Sequence, residues 1–192
     1  MLRILLGCLA LVLLPGPLRA ASWTSVPPSQ LGFEGMAQGE RFSGEFQRFH
    51  ARIAFDPAQP QTARFEVEID LASADSRNAE RDELLRDAAF LDAAGQPRAR
   101  FVSTGAEPDG EGWVTRGRLT LKGRSHEVPF HFRFAQDSED EARLEGHARL
   151  DRTWFGVGSG EWEDAELIAH EVEVRTRLRL RPAAAGEGAV QP

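Results

Sequence analysis

The chain has 192 residues, 41% of them hydrophobic, with one cysteine, no tyrosine and a formal net charge of −7. That length makes one domain with an ordinary core. The acid excess argues against nucleic acid and against adhesion to anionic lipid headgroups, though not against a ligand held inside.

Met1-Leu2-Arg3 is a short basic start, followed by the apolar run from Ile4 to Leu14, then Pro15-Gly16-Pro17 and the small residues Ala20, Ala21 and Ser22. This pattern reads as a cleaved secretory signal over 1–22, with cleavage after Ala20 or after Ser22. The run falls far short of the roughly 20 residues a membrane helix needs. Leu5-Leu6-Gly7-Cys8 resembles a lipoprotein box but precedes a usable apolar core, so a plain signal is preferred. Cys8 leaves with the leader, which excludes a disulfide scaffold, thiol catalysis and cysteine metal sites. Arg3 and Arg19 leave too, so 21 basic residues face 30 acidic ones and the net charge moves to near −9.

The domain is predicted over 23–182, with an Ala/Gly-rich tail at 183–192 read as disordered. Strands are expected near 30–38, 42–55, 63–72, 98–107, 112–122, 124–136, 142–153 and 168–181. Phe65, Val67, Ile69 and Leu71 alternate with Arg64, Glu66, Glu68 and Asp70. Val128, Phe130, Phe132 and Phe134 keep the same rhythm, as do Leu144, Gly146, Ala148 and Leu150, and later Val172, Val174, Thr176 and Leu178. Each strand thus has one dry and one charged face, as an antiparallel sheet solvated on one side requires. Phe42, Gly44 and Phe46 keep one parity while Phe49, Ile53 and Phe55 keep the other, which predicts a β-bulge near Gln47-Arg48. Between the third and fourth strands, Asn78–Asp92 has helical spacing of Leu84, Leu85, Ala88 and Leu91. Asn78 or Ser76 caps it, Asp82 can pair with Arg86, and its carboxylates spread over a solvated face. Its apolar edge needs a surface to cover: a barrel end or flank, with Phe90 reaching the tunnel and Arg81 and Asp82 anchoring the helix to neighbouring loops.

Chemistry is hard to find. The helical carboxylates lack the shared pocket that separates paired acidities. His126 and His131 are five apart around Pro129, which forbids a zinc helix. Gly156-Val157-Gly158-Ser159-Gly160 matches neither a phosphate loop nor a nucleophile elbow and reads as a flexible connector. No catalytic residue, metal site or required cofactor is assigned, so the chain is read as a non-enzyme.

The dry face remains. Eight such strands close as an up-and-down barrel or stack as a sandwich. If they close, the inward set is Phe65, Val67, Ile69, Phe101, Leu119, Leu121, Phe130, Phe132, Leu144, Leu150, Val172, Val174 and Leu178, none ionisable. Trp154, Phe155 and Trp162 bracket the glycine loop and suggest that it folds over apolar surface or a barrel mouth. Gly117, Gly146, Ala148 and Thr176 fall in phase with the large residues and are expected to leave space unfilled. The interior is either packed solid or holds one elongated apolar ligand, lipid rather than sugar or nucleotide.

Several blocks together carry a resemblance. Asn78-Ala-Glu-Arg-Asp-x-x-Leu-Arg with Phe90-Leu91-Asp92, Pro97-x-Ala-Arg-Phe101, Gly117-x-Leu-Thr-Leu-Lys-Gly123, His126-Glu-Val-Pro129, Asp151-Arg152-x-x-Phe155-Gly156 and Glu171-Val-x-Val174 occur in order. They resemble the YceI family of exported bacterial proteins. The resemblance implies an eight-stranded lipocalin-like barrel and a periplasmic binding protein or carrier for an isoprenoid lipid, either a polyisoprenoid or an isoprenoid quinone. The tunnel would be lined by the inward set with Phe90, Trp154 and Phe155. It also implies two candidate partners, a second copy in a homodimer and a membrane cytochrome b561-type protein. The alternative function is a non-catalytic partner module of such a cytochrome or of an envelope stress complex.

Overall fold

A strand with one apolar and one charged face must bury the first and wet the second, and this sheet does both by closing on itself. The computed structural model describes residues 22–184. The expected leader, apart from Ser22, and the expected tail from 185 onward lie outside the described residues. The strands are β1 (Ser22–Ala37), β2 (Glu40–Phe46), β3 (Phe49–Ala54), β4 (Arg64–Asp70), β5 (Ala74–Asp75), β6 (Arg98–Thr104), β7 (Glu107–Asp109), β8 (Gly112–Leu121), β9 (Arg124–Gln136), β10 (Ala142–Asp151) and β11 (Glu171–Pro182). All pair antiparallel with their neighbours, and β11 returns to β1 from Trp23↔Pro182 to Glu34↔Glu173. With β2–β3 and β4–β5 each counted as one interrupted strand, the wall is the expected eight-stranded barrel, and β7 is a short arm paired to β8.

β1 runs eight residues further back than expected, to Ser22, across Pro27-Pro28. Prolines cannot donate to a ladder, and the register accommodates them with extra residues. Val26 to Gln30 is a step of four on β1 against a step of two, Arg179 to Arg177, on β11. On the opposite side, Thr24 to Gly32 is a step of eight against seven from Arg52 to Glu45. The 42–55 strand therefore carries one extra residue of its own, as its parity change requires. It takes the form of a break at Gln47-Arg48 rather than a bulge in a continuous strand. The freed backbone groups bond sideways: Gln47 N donates to Ser73 O at 3.1 Å and Arg48 N to Ser73 Oγ at 3.0 Å.

The helix α1 (Ala79–Arg86) is much shorter than the predicted Asn78–Asp92. Asn78 does cap it, its side chain accepting from Arg81 N at 3.0 Å. Asp87 ends it by accepting from Ala89 N at 2.8 Å, a local bond that competes with helix propagation. Residues 87–93 then fold as a turn, tied by Leu91 N to Leu85 O at 3.0 Å and Ala93 N to Arg86 O at 3.1 Å. The turn buries Phe90 and Leu91 and leaves Ala88 exposed, contrary to the helical spacing. The expected Asp82–Arg86 pair is also replaced. Asp82 is buried and accepts from Ser76 N and Oγ at 2.7 and 2.6 Å, while Arg86 donates to the Ala72 and Ala74 carbonyls.

The barrel interior is not uniform along its axis. At the end formed by the start of β1 and the ends of β3 and β9, Phe55 meets Trp113, Phe132 and Phe134 edge-on, with centroids 5.3, 5.1 and 5.3 Å away. Phe65–Phe132 and Trp23–Phe134 extend the cluster. These rings, with Ile53, Leu144 and Leu180, plug that end solidly. Phe55→Ala is expected to cost roughly 3–5 kcal/mol of unfolding free energy. The shift of the urea midpoint at unchanged slope measures it, and a loss below about 1 kcal/mol would show that the plug is not tightly packed.

Candidate ligand chamber

Beyond the plug the inward side chains stop meeting one another and surround a cavity of about 330 Å³. Of the residues that the alternation and the loop composition single out, Phe65, Val67, Ile69, Phe101, Leu119, Leu121, Phe130, Leu144, Leu150, Val172, Val174 and Leu178 on the strands and Phe90 and Phe155 at the far end line it. Two do not. Phe132 points inward as expected but lies in the plug, stacked on Phe130 and edge-on to Phe55 and Phe65. Trp154 points outward: residues Arg152–Phe155 form a 3₁₀ turn, whose three-residue repeat turns Arg152 and Phe155 in together. Trp154 is left 41% exposed, stacked on His126.

Of the spaces expected at the small residues, those at the two glycines are filled. A Cβ on Gly117 would fall 2.2 Å from Phe101 Cζ, and one on Gly146 would fall 2.3 Å from Phe130 Cζ. Gly44 stands in the same relation to Phe33, at 2.4 Å. Each glycine lets a neighbouring ring lie flat against the wall, so the free volume is gathered in the middle. Ala148 and Thr176 line the chamber, and Thr176 Oγ1 donates to Gln30 O at 2.9 Å. The strand pattern did not single out the contributions of β1 to β3 (Leu31, Phe33, Phe42, Phe46, Phe49). Those of α1 (Leu84, Leu85) and the loops (Leu91, Trp162, Leu167, Ile168) lie outside it, although the helical edge and Trp162 are expected from the sequence to cover a barrel end or mouth. The inward parity of Phe42, Phe46 and Phe49 was the signal available.

Gln38 and Leu167 line the chamber while being exposed, which puts its mouth between the β1–β2 turn, α1 and the 160–168 loop. That loop is fastened from inside by Arg152, which is 4% exposed. Its guanidinium donates to the carbonyls of Ala169, Val157, Gly158, Trp162, Glu163 and Ile168. Burial pulls it below the ordinary arginine value, opposed by the charges of Asp151 and Glu163. Gly158 has φ +68°, and a Cβ there would lie 2.5 Å from Arg152 Nη1. The glycine-rich stretch is thus a fitted wrapping and not the loose connector its composition suggested. Asp151 starts the turn, accepting from Thr153 N and Oγ1 at 2.8 and 2.6 Å. Gly158 N bonds Ala89 O at 2.8 Å, and Lys122 Nζ reaches Ala88 O and Gly156 O, both at 2.8 Å. Helix, loop and β8–β9 hairpin are thereby joined into one end cap. Two of the lining residues are ionisable, Arg81 and Arg152. Among the described residues, no three His, Cys, Asp or Glu side chains are grouped to hold a metal ion.

The YceI-like domain model matches residues 25–180. A UPF0312 protein of Vibrio cholerae is 32% identical over 139 residues, 68% of this chain and 74% of that protein. Protein YceI of Escherichia coli is 32% identical over 135 residues, 70% of this chain and 64% of its own length. The chain thus spans about two thirds to three quarters of these relatives. An Azotobacter vinelandii UPF0312 protein is matched over 62% of its length. Among solved structures, Burkholderia cenocepacia BcnA superposes with a TM-score of 0.75 at 29% identity, covering 79% of this chain and 95% of BcnA. A Saccharophagus degradans domain superposes with a TM-score of 0.67 at 15% identity, covering 86% and 100%.

Asp82 supplies a pH test of the end cap. Burial pushes its pKa up, but the two Ser76 hydrogen bonds and the charges of Arg86 and Arg81 outweigh this and hold it below the usual 3.8. A carboxylate depressed on folding stabilises the fold fully above its unfolded value, and that stabilisation is lost as pH falls through the folded one. The protection of amides in residues 76–86, taken relative to the intrinsic exchange rate at each pH, is therefore expected to fall below pH 3.8. Asp70 and Asp137 are depressed as well, so the local readout is compared with Asp82→Asn, which should flatten the acid response there alone. An unchanged acid response in that variant would remove Asp82 from the role.

Proposed function

We propose, from the premise that the chain belongs to the YceI family, that it is an exported, non-catalytic carrier that holds the chain of an isoprenoid lipid in its barrel. The observation that carries this reading is the unfilled chamber beside a solidly packed plug. Apolar walls left without partner atoms forgo dispersion contacts that an apolar guest restores. The Saccharophagus degradans fold neighbour is itself described as a polyisoprenoid binding domain. That distant likeness contributes the fold, and the lining contributes the class of guest. The two ionisable lining residues are arginines, which stay protonated and serve poorly as general acids or bases. This favours holding a molecule over transforming one. Export is read from the leader, and the pairing of Ser22 with Ala54 favours cleavage after Ala20, which leaves β1 whole.

Native mass spectrometry of protein purified from periplasm, followed by lipid extraction, tests the reading. A retained isoprenoid is expected, and preparations that are repeatedly empty and fail to take up added isoprenoid would refute it. Gly117→Ala, whose close neighbours are all atoms of the Phe101 ring, should push that ring into the chamber and lower loading, at a cost of roughly 1–3 kcal/mol from overpacking. Adding Phe101→Leu to that variant should restore loading and recover part of the lost melting temperature.

A further inference from the structure

The two arginines on the chamber wall differ in what they have left to give. A guanidinium carries five N–H donors. Arg152 uses all three of its nitrogens on carbonyls, with Nε, Nη1 and Nη2 each within 3.1 Å of at least one. Arg81 donates from Nε to Ser76 Oγ at 2.9 Å and from Nη2 to Ser76 O at a long 3.4 Å. Its Nη1 has no acceptor and its charge no carboxylate in salt-bridge contact among the described residues. Arg81 nevertheless does not lie loose. Ser76 Oγ, which receives its Nε–H, donates in turn to the buried Asp82 at 2.6 Å, and the guanidinium carbon sits 5.1 Å from the Phe42 ring centroid.

Arg81 and Phe42 both line the chamber, beside the exposed Gln38 and Leu167 at its mouth. An elongated lipid with its tail against the aromatic plug must end near this point, where carbon walls give way to water. A half-buried cation already fixed on one side loses little freedom on binding, and its charge-assisted hydrogen bonds gain from the low-dielectric surroundings. We infer that Arg81 binds the headgroup: the oxygen-bearing end of the isoprenoid, a phosphate or a quinone carbonyl, rests on its unpaired N–H groups while the tail runs inward. The inference deepens the lipid-binding reading and rests on it.

Three probes separate the possibilities on the purified, delipidated protein: geranylgeranyl monophosphate, a short-tailed isoprenoid quinone, and squalene, which has no polar end. Affinities are measured by titration for the wild type, Arg81→Met and Arg81→Lys, with thermal melting as a check on folding. Arg81→Met is expected to weaken one headed probe by about tenfold or more, the loss of a charge-assisted hydrogen bond. Squalene should change by less than about twofold, because no bond to its end is lost. Arg81→Lys should fall between, keeping the charge but not the planar fork, and it carries the test if Arg81→Met does not fold. Loss confined to the phosphate identifies an anionic head, and loss confined to the quinone identifies a carbonyl. Equal losses for squalene, or no loss for either headed probe, would overturn the headgroup role and leave the lipid reading standing. A wild type that binds none of the three overturns both.

Discussion

The seam between β1 and β11 is the contact on which the rest depends. Without it the wall would be an open sheet with two unpaired edges and a broad apolar face in water. β1 alone pairs along β11 on one side and along both β3 and β2 on the other. A strand engaged on both edges cannot follow a closed, curved wall without extra length. It finds that length at Pro27-Pro28, where missing donors cost the ladder least, and its neighbour finds one residue more at Gln47-Arg48. Curvature, closure and a shared interior follow from these two interruptions.

Inside that wall, phenylalanine performs two opposite tasks, and the facing residue decides which. Where Phe55, Phe132 and Phe134 meet one another edge-on, the bore of an eight-stranded barrel is filled. Where Phe101, Phe130 and Phe33 meet glycine, they lie down and the bore stays open. The chamber is therefore a product of side-chain size at specific pairs of wall positions, while strand number sets only the room available. A wall that does not touch itself lacks dispersion contacts, and the fold compensates at the rim. There Arg152 and Lys122 collect backbone carbonyls from segments with little apolar area to share.

Much of this architecture was legible because period-two alternation reports which face is dry wherever one face meets water. It located the walls, the parity change and most of the chamber lining. It did not report depth along the axis, so Phe132 in the plug and Phe130 in the chamber read alike. Glycines read as gaps because a sequence does not show which ring will lie across them. The helix was drawn too long because Leu91 continues its spacing, whereas the Asp87 side chain ends it by a bond to Ala89 N. Trp154 was misplaced because the turn has a three-residue period, not a strand's two. The opening residues of β1 looked unlike a strand because two prolines occupy a place that is irregular by design.

The arginines lay furthest from what the pattern could show, and they sharpen what the end cap is. Among the charges close to the chamber, Arg152 is surrounded by carbonyls and Asp82 by the donors of Ser76, so each is satisfied at fixed positions in the cap. Satisfaction of this kind gives a segment shape without apolar packing, which explains how a glycine-rich loop holds one course over the mouth. The same rule applied to Arg81 gives a different result, since its partner Ser76 is already committed to Asp82 and can satisfy only part of a guanidinium. Three positions of similar polarity are thereby sorted into two that complete the cap and one with donors to spare. The surplus stands where carbon walls meet water, and an exchange of one ligand end between those two media is the event it is placed to favour.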